Sequence, residues 1–428
     1  MYQTLFYIKP DIYGIPLFGF GLALAIWAVV AVVILVSSVR RNGWNSDTQS
    51  YILILGLMGG AIYFVVPHLL DHNGQGLPIR GFGVMMLLGV VGGVGLSIYR
   101  ANQMGVDSEV IFSLSFWMFI FGILGARLFF VIEYRHLFIK DTIEESIKAI
   151  LNVPEGGIVL YGAFFGGIGA ALVFFVKRKL PTLALADIIV PGMVVGACLG
   201  RVGCFLNGCC FGGLCDPATD LPKVEFPYHS PPYQDQLAKG WLHGLKLEED
   251  QGHVLIKEVT KESAAASAGL VRGDEIVAVN GHPIAAISQM QQLFIESAAQ
   301  PDKPLVTQLA DRTVHKLAFV PPPRALPVHP AQLYDAVNLA LMALVLWLYF
   351  PLRRHDGELL AVGMIFYSIT RFVMEIIRVD EPSQLDTGLS ISQLLSFGVF
   401  LTGVVLLTYV ELRNRPFALP WHGSAATA

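Results

Sequence analysis

Five cysteines and one arginine crowd into the stretch from Ala197 to Cys215, ACLGRVGCFLNGCCFGGLC. Every cysteine of the chain lies here: Cys198, Cys204, Cys209, Cys210 and Cys215. The stretch ends an apolar run that starts at Leu185, with Arg201 near the end of that run. A charge at such depth in a bilayer is costly unless it is paired, hydrated or used on a substrate. The thiols admit three readings. A disulfide suits an oxidising outer face; the neighbours Cys209 and Cys210 are poor partners for each other, but either could reach Cys204 or Cys215. Reactive thiols beside an acceptor's path are the second. A metal site is the third and least favoured, because the spacing is not a CxxC pair and no histidine lies close by; neither a metal nor any other cofactor is expected.

More cations belong with Arg201. Arg127 and Arg371 also fall inside apolar runs, and Arg80 precedes one. The guanidinium fork stays charged and donates two parallel hydrogen bonds, which suits phosphate. Glu375, four residues beyond Arg371, shares its helical face, whereas Asp187 reaches Arg201 only if the chain folds back. His329-Pro330-Ala331-Gln332-Leu333-Tyr334-Asp335 opens another apolar run, with Pro330 suited to a first helical turn. His329, Gln332 and Asp335 recur at helical spacing.

The elements that must carry these residues are membrane helices. Apolar residues make up 54% of the 428 and charged residues only 14%, too little charge for a soluble chain of this length. Runs near the roughly 20 residues that cross a bilayer lie at Leu17–Ser38, Tyr51–Leu70, Phe82–Tyr99, Val110–Ile132, Gly157–Val176, Leu185–Leu206, Leu333–Phe350, Leu359–Ile377 and Ile391–Val410. The fold class is therefore mainly α, a polytopic membrane protein of about nine spans with one soluble α+β insert. Basic loops at Arg40-Arg41, Arg100, Lys177-Arg178-Lys179, Arg353-Arg354 and Arg413/Arg415 all fall on one side if the N-terminus is outside and the C-terminus cytoplasmic. Arg127, Arg201 and Arg371 then gather toward the outer face, where an anionic lipid headgroup is the natural ligand. No basic stripe marks a nucleic-acid binder. The N-terminal MYQTLFYIKPDIYGIP lacks a basic n-region and a small-residue cleavage site, so no removable signal peptide is expected.

Residues 1–77 read as an extra helix pair, a degenerate copy of the pair after it: Pro16, Gly19, Phe20, Gly21 and Gly43 recur as Pro78, Gly81, Phe82, Gly83 and Gly105, and GLMGGAIYFV echoes GILGARLFFV with Ala61 in the place of Arg127. Residues 78–239 and 322–428 form the membrane core. Glycines 162, 166, 167, 169, 192, 196 and 200 in the fifth and sixth spans read as close-packing positions. The soluble insert spans 240–321. Strands are expected at Val254–Val259, Glu275–Gly281, Leu305–Leu309 and Val314–Val320, with an amphipathic helix at Ser288–Ala299. Its run AGLVRGDEIVAVNG resembles bacterial PDZ domains, which add an extended peptide as an extra strand. That resemblance implies a peptide ligand and puts the carboxylate-binding turn near Leu242, Gly244 and Leu245.

The membrane core resembles the prolipoprotein diacylglyceryl transferases. The matching stretches are GARLFFVIEY at Gly125, GGIVLYGAFFG at Gly156, ALADIIVP at Ala184, GRVGCFLNGCCFG at Gly200, HPAQLYD at His329 and ITRFVMEIIR at Ile369. The resemblance implies transfer of a diacylglyceryl group from phosphatidylglycerol to the cysteine thiol of a prolipoprotein signal peptide, at the outer face of a bacterial inner membrane. It assigns headgroup binding to Arg201 and Arg371, with Glu375 orienting Arg371 and with Arg127 and Asn207 completing the polar site. The chain departs from the family in four places. Tyr161-Gly162-Ala163 replaces a His-Gly-Gly whose histidine is a proposed base, Phe82 replaces a tyrosine, Cys204 an asparagine, and Cys209 an acidic residue. A phenol, with an ordinary pKa near about 10, is a poor base, so the proton falls to Tyr161, to His329 or Glu133, or to no dedicated base. Two rival readings are a transferase of the same fold with another thiol or lipid acceptor, and a non-catalytic lipid-binding scaffold that gathers partners through its insert.

Overall fold

Some of the closest helix contacts in this protein are made through glycine, where nothing larger fits. The computed structural model describes residues 3–43, 52, 55, 56, 58–70, 75–139, 142–151, 157, 159–215, 221–250, 252–300, 302–378, 388–413 and 417–419. The chain divides into two units, Met1–Met85 and Met86–Ala428.

In the first unit, strand β1 (Thr4–Ile8) pairs antiparallel with β2 (Leu77–Arg80), placing Thr4 opposite Arg80. Helix α1 (Leu22–Asn42) is apolar throughout, and its Trp27 donates to the Leu55 carbonyl at 3.2 Å. At Ala61–Val65 the chain forms a π turn that passes into a 3₁₀ turn at Val66–Leu69, where Pro67 cannot donate to a helical ladder. The proposed second copy of this segment is instead a continuous helix.

Helix α2 (Gly81–Gln103) leads into the second unit. There follow α3 (Ser108–Glu133), α4 (Ile143–Leu151), α5 (Leu160–Lys177), α6 (Thr182–Asn207) and α7 (Pro231–Ala238). Seven helices among the described residues are long and apolar enough to cross a membrane: Leu22–Arg40, Gly81–Gln103, Ser108–Glu133, Thr182–Asn207, Ala331–Leu352, Glu358–Ile377 and Ile391–Arg413. The expected second and fifth spans correspond to the shorter apolar helices Met58–Leu69 and Tyr161–Lys177. Thus seven of the nine expected spans reach full length.

Helix α3 lies on α5. A β-carbon at Gly162 would stand 2.2 Å from the Gly125 carbonyl oxygen, one at Gly125 would stand 2.4 Å from that of Gly162, and one at Gly166 would stand 2.2 Å from that of Phe121. Helix α2 meets α6 the same way, through Gly93 and Gly192.

Beyond α6 the chain leaves the membrane core and returns along itself. Val224 and Val328 exchange backbone hydrogen bonds, Ala325 donates to Phe226, and Gln236 holds both backbone groups of Leu326. This two-stranded stalk carries the insert. Strands β3 (Leu245–Asp250), β4 (His253–Val259), β5 (Glu275–Val279), β6 (Leu305–Leu309) and β7 (Val314–Leu317) form an antiparallel sheet in the order β7-β6-β5-β4-β3. Helix α8 (Ile287–Ala299) closes it with Met290 and Phe294 in the core. The expected strands and helix are in place, but β3 was not foreseen. Its signal is the Leu245/Leu247 alternation in LKLEED. The boundary at residue 240 is also not clean: Ala298 and Phe319 of the insert share a core with Phe226, Tyr233 and Leu237 of the stalk.

His243 lies in that junction, fully buried and stacked on Phe319 with ring centres 3.8 Å apart. Ser297 Oγ donates to the Phe294 carbonyl, so His243 Nε2, 3.0 Å away, is the donor to Ser297. Burial pushes the imidazole pKa down to about 3. The unfolded histidine takes up a proton below about 6.5 and the folded one does not. This contribution to stability is therefore complete above that pH and is lost as the pH falls from about 6.5 toward 3. The thermal midpoint of the insert, followed in the full chain, is expected to drop between pH 7.5 and pH 4.5, and to drop less in His243→Leu. An equal drop in both would remove His243 as the cause. Gly162→Leu is expected to separate α3 from α5 at a cost of about 1–3 kcal/mol, read as a lower thermal midpoint in detergent, whereas Gly169→Ala, which meets nothing within 4 Å, leaves it unchanged.

Candidate active site

Helices α9 (Ala331–Tyr349), α10 (Glu358–Ile377) and α11 (Ile391–Arg413) come after the insert, and α9 packs along α6. Two arginines on these helices are each held by one carboxylate. Arg201 on α6 donates through Nε to Asp335 Oδ2 of α9 at 2.7 Å. Asp335 is 8% exposed and Arg201 20%. The pairing uses Nε alone, and among the described residues it leaves both terminal amino groups of Arg201 for a ligand. Arg371 on α10 donates to Glu375 at 2.6 Å and to Ser392 Oγ of α11 at 2.9 Å. Ser390 donates to the other oxygen of Glu375 at 3.2 Å. Tyr161, at the start of α5, has its hydroxyl 3.3 Å from Ser392 Oγ. Tyr161, Ser392, Arg371, Glu375 and Ser390 therefore form one hydrogen-bonded chain across three helices. Ser390 and Ser392 were not singled out in the sequence; their only signal is position, at the entry of the last span.

The other expected residues are distributed differently. Arg127 is turned away from this network: its Nε, Nη1 and Nη2 donate to the carbonyls of Ile150, Gly157 and Ala149 at 2.9, 2.9 and 2.8 Å. Two of those carbonyls belong to the last turn of α4, where a cation is favoured. Arg127 staples this segment, which accounts for its burial without a phosphate. Asp187 does not meet Arg201. It accepts from the amides of Gly357 and Leu360 and lies 3.5 Å from Arg353 Nε. Glu133 is exposed at the end of α3. Arg80 and Phe82 belong to the first unit.

The cysteine loop begins where α6 ends. Gly208 takes a left-handed conformation and donates to the Cys204 and Phe205 carbonyls, and the Cys209 N–H donates to the Cys204 carbonyl as well. Gln332 Nε2 grips the Cys209 carbonyl at 2.7 Å. Gly212 donates to the His329 carbonyl and Gly213 to that of Ile377; a β-carbon on Gly212 would stand 2.9 Å from His329. Asn207 hydrogen-bonds the Cys209 thiol. All five cysteines are free thiols, so the disulfide reading describes none of them here. The sulfurs of Cys204, Cys209 and Cys210 lie within 4.8 Å of one another. The expectation against a metal site rested on spacing, and the helix end overturns that reasoning by folding residues 209 and 210 back over residue 204. The Cys209 thiol donates to the Cys204 carbonyl at 3.7 Å, and a hydrogen bond from Cys204, aided by the nearby charges of Arg378 and Arg201, holds the Cys210 thiol below the usual thiol range. Cys198 instead donates to the Ala336 carbonyl, and Cys215 is buried in the stalk.

His329 lines a cavity of about 390 Å³ with Tyr334, Gly213, Leu221 and Ile377. Its Nδ1 is buried and has no hydrogen-bond partner among the described residues. A smaller cleft, about 190 Å³, opens between α10 and α11, lined by Ile369, Phe372, Phe397 and Phe400.

These features fit a site for an anionic headgroup with apolar tails. A family model described as prolipoprotein diacylglyceryl transferase matches residues 67–409. The phosphatidylglycerol–prolipoprotein diacylglyceryl transferase of Rhodopirellula baltica is 33% identical over 95% of this chain and 89% of its own length. The chain belongs to the prolipoprotein diacylglyceryl transferase family. A second relative, phosphatidylglycerol–prolipoprotein diacylglyceryl transferase 2 of Clostridium perfringens, is 24% identical over 79% of this chain and 94% of its own.

Within this family member Tyr161, at the position of the missing histidine, reaches Arg371 through Ser392 among the described residues. A neutral hydrogen bond of this kind contributes about 0.5–1.5 kcal/mol. Tyr161→Phe is therefore expected to lower turnover by no more than about tenfold and to leave its pH profile unchanged. Loss of activity at every pH, with lipid binding intact, would make Tyr161 the base.

Proposed function

We propose that this protein transfers the diacylglyceryl group of phosphatidylglycerol to the lipobox cysteine of prolipoproteins. Arg201 and Arg371 hold the headgroup phosphate. The acceptor sulfur attacks the glycerol carbon that bears the phosphate, the carbon–oxygen bond breaks, and glycerol phosphate leaves with the electron pair. Negative charge grows on the leaving phosphate, so cations fixed beforehand lower the barrier without reorganising. The observation that carries this reading is the pair of guanidiniums anchored by one carboxylate each, with Arg201 still able to donate two hydrogen bonds. The cleft between α10 and α11 lies one turn from Arg371 and suits an acyl tail.

The chain sits in the bacterial inner membrane with its N-terminus outside and its C-terminus cytoplasmic, by the bias of its basic loops. The active site and the insert then face the extracytoplasmic side. The insert is of PDZ type and takes an extended peptide along β3, which ends the sheet. Capture of a terminal carboxylate is not part of this reading. The amides of His243, Gly244 and Leu245 already donate to Gly240 and Trp241, and Leu245 is buried in the domain core. Leu242 packs against the stalk. What remains for a peptide is the backbone edge of β3.

Purified protein in mixed micelles is expected to convert a lipobox peptide to its thioether, detected by mass spectrometry. Arg201→Ala and Arg371→Ala are each expected to slow this about 10²- to 10³-fold, the usual loss on removal of one preorganised donor. Near-normal turnover by either variant would take that arginine out of the mechanism. Phosphatidylglycerol binding without any thioether would favour the lipid-binding scaffold.

A further inference from the structure

The three clustered thiols have no role in headgroup binding, and no disulfide can use all of them. Cys204 lies on the last turn of α6, one turn beyond Arg201. The left-handed Gly208 reverses the chain, so Cys209 and Cys210 fold back over that turn. Cys210 itself has a φ of 58°, a conformation that a β-carbon disfavours. The loop is fixed from outside by Gln332, by His329 through Gly212, and by Ile377 through Gly213. The three sulfurs thus stand within 4.8 Å of one another on a braced turn. Thiolates bound to zinc at about 2.3 Å sit about 3.8 Å apart at the corners of a tetrahedron. Side-chain rotations that move the sulfurs by about 1 Å reach that geometry.

We propose that Cys204, Cys209 and Cys210 bind a thiophilic divalent cation of the zinc class, and that its fourth position takes a thiol. No fourth Cys, His, Asp or Glu joins the three among the described residues. Three protein ligands with an open position is the arrangement of a reactive zinc centre rather than a closed structural one. Three thiolates around a divalent ion carry one net negative charge, and Arg201, one turn before Cys204 on α6, is placed to offset it. A coordinated thiol loses its proton outright. The acceptor thiol would release its proton to water on binding, and its sulfur would then attack the glycerol carbon while glycerol phosphate departs. The metal centre stands independently of the transfer reading. Only the identity of the incoming thiol rests on it.

The full-length protein, purified with reductant, is expected to carry about one zinc ion per chain by elemental analysis. Cys204→Ser, Cys209→Ser and Cys210→Ser are each expected to lose it, while Cys198→Ser and Cys215→Ser keep it. Wild-type protein reloaded with cobalt(II) gives a reading that needs no variant: a sulfur-to-cobalt charge-transfer band that shifts when a lipobox peptide is added, but not with its Cys→Ser analogue. Reduced wild-type protein that takes up neither zinc nor cobalt would overturn the centre, as would a metal retained in all three serine variants. A cobalt band indifferent to the peptide thiol would overturn the assignment of the fourth position. Metal and thiol binding without thioether formation would support the centre and count against the transfer reading alone.

Discussion

A guanidinium can be kept inside a membrane protein only if its charge is answered, and the whole site depends on how that is done. Arg201 and Arg371 are each answered by one carboxylate, Asp335 and Glu375. A single anion lowers the cost of burial but does not use up the five donors of the fork. Arg127 shows the opposite arrangement. Three backbone carbonyls take its donors, and the result is a staple. The three arginines therefore differ in how many of their donors the fold consumes, not in charge.

The Arg201–Asp335 pair needs α6 and α9 to run side by side with a defined register. Gln332, one turn before Asp335, holds the Cys209 carbonyl, so one helix face fixes both the cation and the cysteine loop. On the other flank, glycines let α5 approach α3 until backbone meets backbone. That approach sets where Tyr161 begins its helix, and so brings its hydroxyl to Ser392. Small residues far from the chemistry thereby position it, as expected in lipid, where close packing replaces the hydrophobic effect between helices.

Much of this was legible in the sequence. Apolar runs located the helices, and the strands of the insert from Val254 onward were expected where they lie. Helical spacing gave the Arg371–Glu375 pair, and within HPAQLYD it gave Gln332 and Asp335, which meet the Cys209 carbonyl and Arg201, whereas His329 precedes the helix and lines a cavity. What escaped was tertiary. Asp335 as the partner of Arg201 depends on helix register between segments 134 residues apart, and no local pattern records it. Ser390 and Ser392 look like ordinary helix-entry residues. Arg127 looked like a third phosphate ligand because a sequence shows charge but not the carbonyls that meet it. The insert's boundary was blurred for the same reason, since Ala298 and Phe319 complete a core begun by Phe226 and Tyr233.

The four departures from the family pattern also fall into order once placed. Phe82 belongs to the first unit and the other three to the second. Tyr161 takes the histidine's place and, among the described residues, reaches Arg371 through Ser392. Cys204 and Cys209 stand where an asparagine and an acidic residue are usual, and both belong to the same sulfur cluster with Cys210. A site that loses a histidine and an acidic group loses two groups able to manage a proton. A site that gains thiols beside two arginines gains a place where sulfur is easily held as an anion, because cations favour the thiolate. Cys204 and Cys209 bring thiols to the end of α6, one turn from Arg201, while Arg201 and Arg371 keep their carboxylate anchors.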